Sequence, residues 1–366
     1  MNKIQYNIKK EQPLFIIHYT LFIILILNCT KSPTNSDNTN QVTVNTAITQ
    51  NTTWTSGIDY IVEGTVTVQK GASLNITGEV TVLFKADQQG TAGKLRIDGS
   101  LQAKGTDSTS AVLFKPYDAT VSDGAWGIEL NQSEGCGVFE FCRFEGLTYG
   151  VNAFEASVLV NECTFVECVN GVLVTKCDSA LIQGSEFLDN EYGVKTNLSP
   201  VGEDSVRVIR NVFSGASEVG VEVNNFSKAF VNNNYFNNCE IGLLNINYSK
   251  CMINYNNFEN CELCCQWTKS NQGIIQNNDF KSGNNAIKVY EANVIICHNN
   301  IIEFNNYKII YKNINKKDTL IARYNWWNSI KNDEINLFIW DGKDNNDDKW
   351  EGVVDFVPYI KEKIIF

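Results

Sequence analysis

Apolar and polar positions recur along most of the chain with a period of about 22 residues. In each unit a small polar residue or Cys is followed two positions later by a bulky apolar residue. The pairs are Cys142/Phe144, Cys163/Phe165, Ser185/Phe187, Asn211/Phe213, Asn234/Phe236, Asn256/Phe258, Asn278/Phe280, Asn300/Ile302 and Asn325/Trp327. A second landmark follows six or seven residues after the bulky apolar residue. It is found at Gly150-Val151, Gly171-Val172, Gly193-Val194, Gly220-Val221, Gly242-Leu243, Cys264-Cys265 and Ala286-Ile287. Self-similarity at this period is typical of a solenoid.

The segments between these landmarks predict short strands. Val158-Leu159-Val160 and Ala229-Phe230-Val231 are examples, and clusters of Asn, Gly, Ser and Asp separate such segments. Strands this short bury an apolar face only when coils stack about 4.8 Å apart. Stacking would place the Phe residues in an internal column and the Asn residues, from Asn211 to Asn325, in a ladder of side-chain amides. We therefore predict an all-β chain that forms a single-stranded parallel β-helix; the regularly spaced leucines of leucine-rich repeats are absent.

Five segments carry a family resemblance. The unit Asn234–Leu243, the early segments Gly71–Ile76 and Leu95–Gly105, and the ending Tyr324-Asn325-Trp326-Trp327 with Val354–Tyr359 resemble right-handed parallel β-helix repeat proteins of the pectate-lyase-like superfamily. The resemblance covers residues 50–360, including a closing segment at 326–360, and implies a right-handed β-helix (β-solenoid). It leaves the function open, because this scaffold hosts lyases, hydrolases, epimerases and noncatalytic adhesins.

The N-terminal residues predict export. Three lysines precede the apolar run 14–27, which is shorter than the roughly 20 residues of a membrane-spanning helix but suits a signal peptide. The sequence Leu25-Ile26-Leu27-Asn28-Cys29 resembles the lipobox of bacterial lipoproteins. We expect a signal peptide at 1–28, a lipid on Cys29 and a flexible tether at 29–49, which would anchor the protein in the bacterial cell envelope at the outer membrane or cell surface. An uncleaved anchor and an unlipidated secretory signal are the alternatives.

Charge narrows the list of partners. The net charge is −11 and becomes −13 without residues 1–28, and no basic patch or Gly-rich phosphate loop is present. Nucleic acid is therefore excluded as a partner. We expect a monomer.

The sequence offers no catalytic constellation. Motifs of the polygalacturonase-like and uronan-epimerase-like β-helices are absent, and no motif pairs an acid with Lys195, Arg207 or Arg210. His298, which follows Cys297 beside the predicted ladder, is expected to be a surface or turn residue. The prediction is a noncatalytic scaffold, with no cofactor, that binds polysaccharide or a protein partner in an adhesive role.

Two other functions were weighed against the noncatalytic scaffold. One is a carbohydrate-active enzyme, above all a polysaccharide lyase with an acid-lined groove. The other is a copper-handling periplasmic protein of the NosD type, against which the near absence of His and Met argues. The longer units near Asn197–Arg207 and Asn313–Leu320 are the first places to look for function.

Acidic residues give two weaker hypotheses. A glutamate lies two residues before the Gly position in four consecutive coils, at Glu191, Glu218, Glu240 and Glu262. In stacked coils these carboxylates would lie about 4.8 Å apart and could bind calcium or a cationic ligand. The alternative, which we favour, is that they form a solvated edge that keeps the solenoid soluble. The acidic run Asp341–Asp348 lacks EF-hand spacing and is expected to be a surface loop.

Cysteine and tryptophan both suit structural roles. Cys142 and Cys163 share one predicted column and Cys239 and Cys261 another, so neighbouring coils would bring each pair within disulfide range. Reduced, packed thiols are the default expectation, and no spacing resembles a zinc site. The four tryptophans of the closing segment are expected to cover the end of the core.

Overall fold

The structure, a computed structural model, describes residues 40–118, 125–132, 134–199, 206–269, 273–314, 318–344 and 352–366. The predicted signal peptide, Cys29 and residues 29–39 of the predicted tether lie outside these ranges. Within them, no helix has the length and apolar character needed to cross a membrane.

The described residues are almost entirely strands, joined by tight turns. They are β1 (Asn40–Val44), β2 (Thr52–Trp54), β3 (Ile58–Glu63), β4 (Thr65–Val68), β5 (Ser73–Thr77), β6 (Thr81–Lys85), β7 (Gly93–Ile97), β8 (Ser100–Lys104), β9 (Val112–Pro116), β10 (Ala125–Asn131), β11 (Gly137–Glu140), β12 (Cys142–Glu145), β13 (Tyr149–Phe154), β14 (Val158–Asn161), β15 (Thr164–Val166), β16 (Asn170–Thr175), β17 (Ala180–Gln183), β18 (Glu186–Leu188), β19 (Tyr192–Asn197), β20 (Val206–Ile209), β21 (Val212–Ser214), β22 (Val219–Asn224), β23 (Lys228–Asn232), β24 (Tyr235–Asn237), β25 (Ile241–Ile246), β26 (Lys250–Asn254), β27 (Asn257–Glu259), β28 (Cys261–Thr268), β29 (Gly273–Gln276), β30 (Asp279–Tyr290), β31 (Val294–Cys297), β32 (Asn300–Phe304), β33 (Ile309–Lys312), β34 (Thr319–Ile321), α1 (Asn332–Asn336), β35 (Ile339–Trp340) and β36 (Val353–Asp355).

These strands confirm the predicted right-handed parallel β-helix, with about 12 turns. Face 1 is a sheet of 13 strands that runs from β2 and β5 to β34 and β36. The other sheet has 23 strands and makes two faces: face 2 runs from β1 and β3 to β30 and β32, and face 3 from β4 and β7 to β33 and β35. Every strand pairs in parallel with its equivalent in the next coil, for example β14 with β17.

The solenoid begins before residue 50. β1 pairs in parallel with β3 from Asn40 to Val44, and Ile48 forms an isolated bridge with Val68. The sequence pattern assigns these residues to the tether because β1 is short and almost wholly exposed, so it carries no apolar signature. Residues 40–49 belong to the β-helix.

The predicted phenylalanine column lies inside the helix. From Phe144 to Phe280 successive ring centroids are 4.6–4.9 Å apart, and the rings lie within 11° of parallel. Phe114 continues the stack at 4.8 Å toward the N-terminus. The glycine landmark makes room for it: a Cβ on Gly193 would lie 2.7 Å from the Phe213 ring. The phenylalanine and glycine landmarks therefore occur together because a larger side chain at the glycine position would clash with the phenylalanine ring.

The predicted asparagine ladder is present, with one correction. Each Asn Oδ1 accepts both the backbone N–H and the Nδ2–H of its equivalent in the preceding coil; Asn256 accepts both from Asn234, at 2.9 and 3.0 Å. The rung after Asn278 is Asn299, not Asn300 as predicted, and the apolar residue above Phe280 is Ile301, not Ile302. Sequence spacing cannot choose between adjacent asparagines, but only Asn299 follows a residue with positive φ, as the other asparagine rungs do.

Cysteines take part in the ladder as reduced thiols. The backbone N–H of Cys142 donates to Cys163 Sγ, and the N–H of Cys163 donates to Ser185 Oγ, which extends the ladder toward the N-terminus. No disulfide joins the 11 cysteines of the described ranges. Burial raises the pKa of the Cys168 thiol to about 12. The packed, reduced state that the sequence favours is the one observed.

The closing segment covers the C-terminal end of the core. Trp327 is fully buried after the last ladder rung, and Phe356 contacts it edge to face. Asp341 is also buried, and its carboxylate accepts the backbone N–H groups of Lys343 and Val354. The expectation of a surface loop at 341–348 is therefore wrong for Asp341, while residues 345–348 lie outside the described ranges.

Candidate functional site

The predicted acidic row lies along the turn between faces 2 and 3. Glu191, Glu218, Glu240 and Glu262 are all exposed, and the N–H of Glu218 donates to the Glu191 carbonyl in the coil before it. The carboxylate of Glu262 accepts a hydrogen bond from the side-chain amide of Asn284, which occupies the equivalent position in the next coil. Among the described residues, no group of three His, Cys, Asp or Glu side chains is arranged to hold a metal ion.

Face 3 brings together an acid and a base that sequence motifs do not connect. Lys195 Nζ is 3.3 Å from Glu222 Oε2 and 4.1 Å from the Tyr192 ring centroid. Asn224 Nδ2 donates to the other Glu222 oxygen at 2.8 Å, and Glu222 is only 4% exposed. Burial and then the neighbouring carboxylates raise the pKa of Tyr192, so its phenol keeps its proton. Both carboxylate oxygens are engaged, which makes this a closed ion pair.

The glycine landmarks, once aligned, predict that Lys195 and Glu222 are neighbours. Lys195 and Glu222 each lie two residues after a landmark glycine, Gly193 and Gly220, so they share a column although 27 positions separate them. Residues in one column of adjacent coils are direct neighbours.

Face 1 presents an outward column that is apolar in eight of nine consecutive coils. Its members pair one after another across the sheet and are Val138, Leu159, Leu181, Arg207, Phe230, Met252, Ile274, Ile295 and Ile321. Met252, Ile295 and Ile321 are 36–45% exposed and the others are half-buried, apart from the exposed Arg207. At about 4.8 Å per coil, the column is roughly 40 Å long.

Three cations adjoin this column. Arg207 interrupts it, and Lys228 and Lys250 lie opposite each other two residues before Phe230 and Met252. None of the three forms an ion pair with a described residue, and Lys228 Nζ lies 5.4 Å from the Phe230 ring centroid. The individual strands show the alternation that places these residues outward, but only the register shows that they form one continuous surface.

A cavity of about 820 Å³ opens near the C-terminal end, at the turn between faces 2 and 3. The chain makes a long excursion there at residues 328–338, which includes α1 and which the repeat pattern did not single out. Lys308 lines the cavity and is 5% exposed. Its ammonium donates to the Trp327 carbonyl and lies 5.0 Å from the Phe338 ring centroid. Burial lowers the pKa of Lys308 to about 8.

The two longer units named from sequence are only partly described. Residues 200–205 of the first and 315–317 of the second lie outside the described ranges. In the second, Asn313 Nδ2 donates to Asp318 at 3.0 Å beside a smaller cavity of about 510 Å³. His298 is a turn residue with φ of 56°, as expected, and its ring stacks on Tyr324.

Residues 74–264, just over half of the chain, match the family described as "Periplasmic copper-binding protein (NosD)". The chain belongs to the NosD family. The inference that the scarcity of His and Met argues against the NosD type is therefore wrong as to family membership.

Solved structures of the periplasmic alginate epimerase AlgG are similar to this NosD-family chain. One is 12% identical, covers 84% of this chain and 78% of its own, and has a TM-score of 0.45. A double mutant of the same protein is 13% identical with the same coverage and a TM-score of 0.47. No curated protein matches the sequence. Family membership agrees with the prediction of an exported protein of the cell envelope.

Proposed function

We propose that the protein is a noncatalytic scaffold of the cell envelope that binds a protein partner along face 1. The observation that carries this proposal is the outward column from Val138 to Ile321, which spans nine coils and is apolar in all of them except at Arg207. Contiguous apolar surface of this kind on a soluble face marks an interaction site. The rigid β-helix presents it in a fixed, nearly straight row.

The composition of the column favours protein over polysaccharide. Seven of its eight apolar members are aliphatic or Met, and only Phe230 is aromatic. Sugars are bound by aromatic platforms combined with hydrogen-bonding groups, whereas aliphatic side chains and Met pack against apolar side chains of a partner. A protein with a complementary apolar row fits this surface.

Charge specifies the partner further. Arg207, Lys228 and Lys250 lie on or beside the column, and none of them pairs with a carboxylate in the part of the chain that the structure describes, although the net charge of the chain is −11. Carboxylates that flank the apolar row of the partner would pair with them and set its register on face 1.

The other sequence-based hypotheses receive less support. A lyase needs a base that is free to reach the substrate, and Lys195 and Glu222 are bound to each other. The acidic row is best interpreted as a solvated edge, in which case chelating calcium leaves the melting temperature unchanged.

We retain lipidation of Cys29 as the anchor. A clickable fatty acid fed to the producing cell should label the wild-type protein and should fail to label Cys29→Ser.

The described residues do not fit the copper named in the family description, because no three His, Cys, Asp or Glu side chains among them are arranged to hold a metal ion. The single described His stacks on Tyr324, and the single described Met lies outward on face 1. The buried thiols of Cys142, Cys163 and Cys177 donate to backbone carbonyls. No function through copper is proposed.

Site-specific photocrosslinking in the producing cell tests the proposal. A photoreactive phenylalanine analogue at Met252 or Ile274 should capture one protein species, because both positions lie within the column. The double variant Arg207→Glu, Lys250→Glu should lower the yield at least fivefold, since it reverses the charges that would pair with the partner.

Matched controls lie on face 2. Thr164 and Asn257 are outward and half-buried like the column residues, and the analogue at either position should capture no dominant species. Equal capture from both faces, or none from face 1, would refute the proposal.

A further inference from the structure

The cavity near the C-terminal end has an unusual polar lining. The carboxylate of Glu303 and the amides of Asn305 and Asn328 line it, and none of the three side chains forms a hydrogen bond with a described residue. Lys308 adds two further N–H donors beyond the one that bonds the Trp327 carbonyl. Donors and acceptors therefore line the same cavity, which suits hydroxyl groups because each hydroxyl both donates and accepts.

One rim of the cavity is apolar. Leu337 is 76% exposed and lies beside Phe338, and both line the cavity from the excursion at 328–338. The Phe338 ring is the aromatic platform on which the C–H face of a pyranose ring can stack, and the exposed Leu337 extends that apolar wall. Small-molecule sites combine such an apolar wall with a few convergent polar groups in about 300–1,000 Å³, and this cavity lies in that range.

Charge restricts the ligand. Glu262, Glu303 and Glu334 line the cavity together with one cation, Lys308, and of these carboxylates only Glu334 pairs with a cation among the described residues, Lys331. The remaining excess of carboxylate repels anions, so uronates are disfavoured. A neutral hydroxyl-rich ligand meets no such repulsion.

We propose that this cavity binds a neutral saccharide, with its hydroxyl groups on Glu303, Asn305, Asn328 and Lys308 and one ring face on the apolar wall formed by Phe338 and Leu337. The site is distinct from face 1, so it goes beyond the protein-binding function and its test does not depend on that proposal. A scaffold with both surfaces would hold its protein partner beside envelope glycans.

Isothermal titration of the full chain tests the proposal against a panel of neutral disaccharides, built from hexoses, pentoses and N-acetylhexosamines, and against digalacturonate. At least one neutral disaccharide should bind at least tenfold more tightly than digalacturonate. Leu337→Glu and Glu303→Ala should each weaken that binding about tenfold, the loss of one good contact.

The matched control is Ile365→Glu. Ile365 is 96% exposed and does not line the cavity, so this variant should bind like the wild type, and melting temperatures should show all three variants folded. Three results would each overturn the proposal: no neutral disaccharide binds, digalacturonate binds as tightly, or both cavity variants bind like the wild type.

Discussion

Replacing Asn256 with Ala should destabilise the β-helix by about 4 kcal/mol, the largest effect we expect from a single substitution. Asn256 is buried in the middle of the ladder, where its Oδ1 accepts two N–H groups of Asn234 and its Nδ2 donates to Val231 and Asn278. Alanine would leave at least two buried donors unsatisfied, at about 1–3 kcal/mol each. Urea denaturation of the soluble part, from Thr30 onward, measures the loss.

Two variants make the result specific to the ladder. Asn257→Ala, at the next residue, which points outward at the start of β27, should change the free energy of unfolding by less than about 0.5 kcal/mol. Asn256→Ser should lose less than Asn256→Ala, because Ser185 already serves as a rung with its hydroxyl. A loss below about 1 kcal/mol in Asn256→Ala would show that the ladder does not stabilise the fold.

Lys308→Met should stabilise the protein at neutral pH by about 2 kcal/mol. Burial lowers the pKa of Lys308 from its ordinary 10.5 to about 8, so holding the ammonium in the folded state costs about 3 kcal/mol below pH 8. Losing the hydrogen bond to the Trp327 carbonyl offsets about 1 kcal/mol of the gain.

The stability of the wild type should depend on pH in a direction that follows from the lowered pKa of Lys308. Between about pH 8 and 10.5 the unfolded chain binds a proton that folded Lys308 does not, so wild-type stability should rise with pH in this window. The gap to Lys308→Met should close over the same interval, and the exposed Lys361→Met should show no such change. A Lys308→Met variant that is less stable than the wild type at pH 7 would mean that the ammonium holds the closing segment in place.

The period of the sequence determines most of this fold. The phenylalanine column and the glycine landmarks follow from it, because each column must repeat identical packing in successive coils. The choice between Asn299 and Asn300 does not follow, since it depends on which residue adopts positive φ before the turn. β1 was missed because an exposed strand has no apolar pattern to detect.

The candidate sites were harder to predict for a different reason. The apolar column of face 1 contributes one residue per coil, inside a short apolar run such as Val158-Leu159-Val160, and only strand register joins Val138 to Ile321 into one surface. The Lys195–Glu222 pair is hidden in the same way. Lys308 becomes notable only because the excursion at 328–338 buries it, and no local feature of Tyr307-Lys308-Ile309 indicates burial.

The noncatalytic character of the scaffold is the central claim, and one assay tests it most directly. The soluble part from Thr30 onward is incubated with a panel of acidic polysaccharides, with and without calcium, and followed by the absorbance of unsaturated sugars and by a reducing-end assay. We predict no cleavage in either condition. Cleavage of any member would contradict the claim and would direct attention to Lys195, Glu222 and the acidic row.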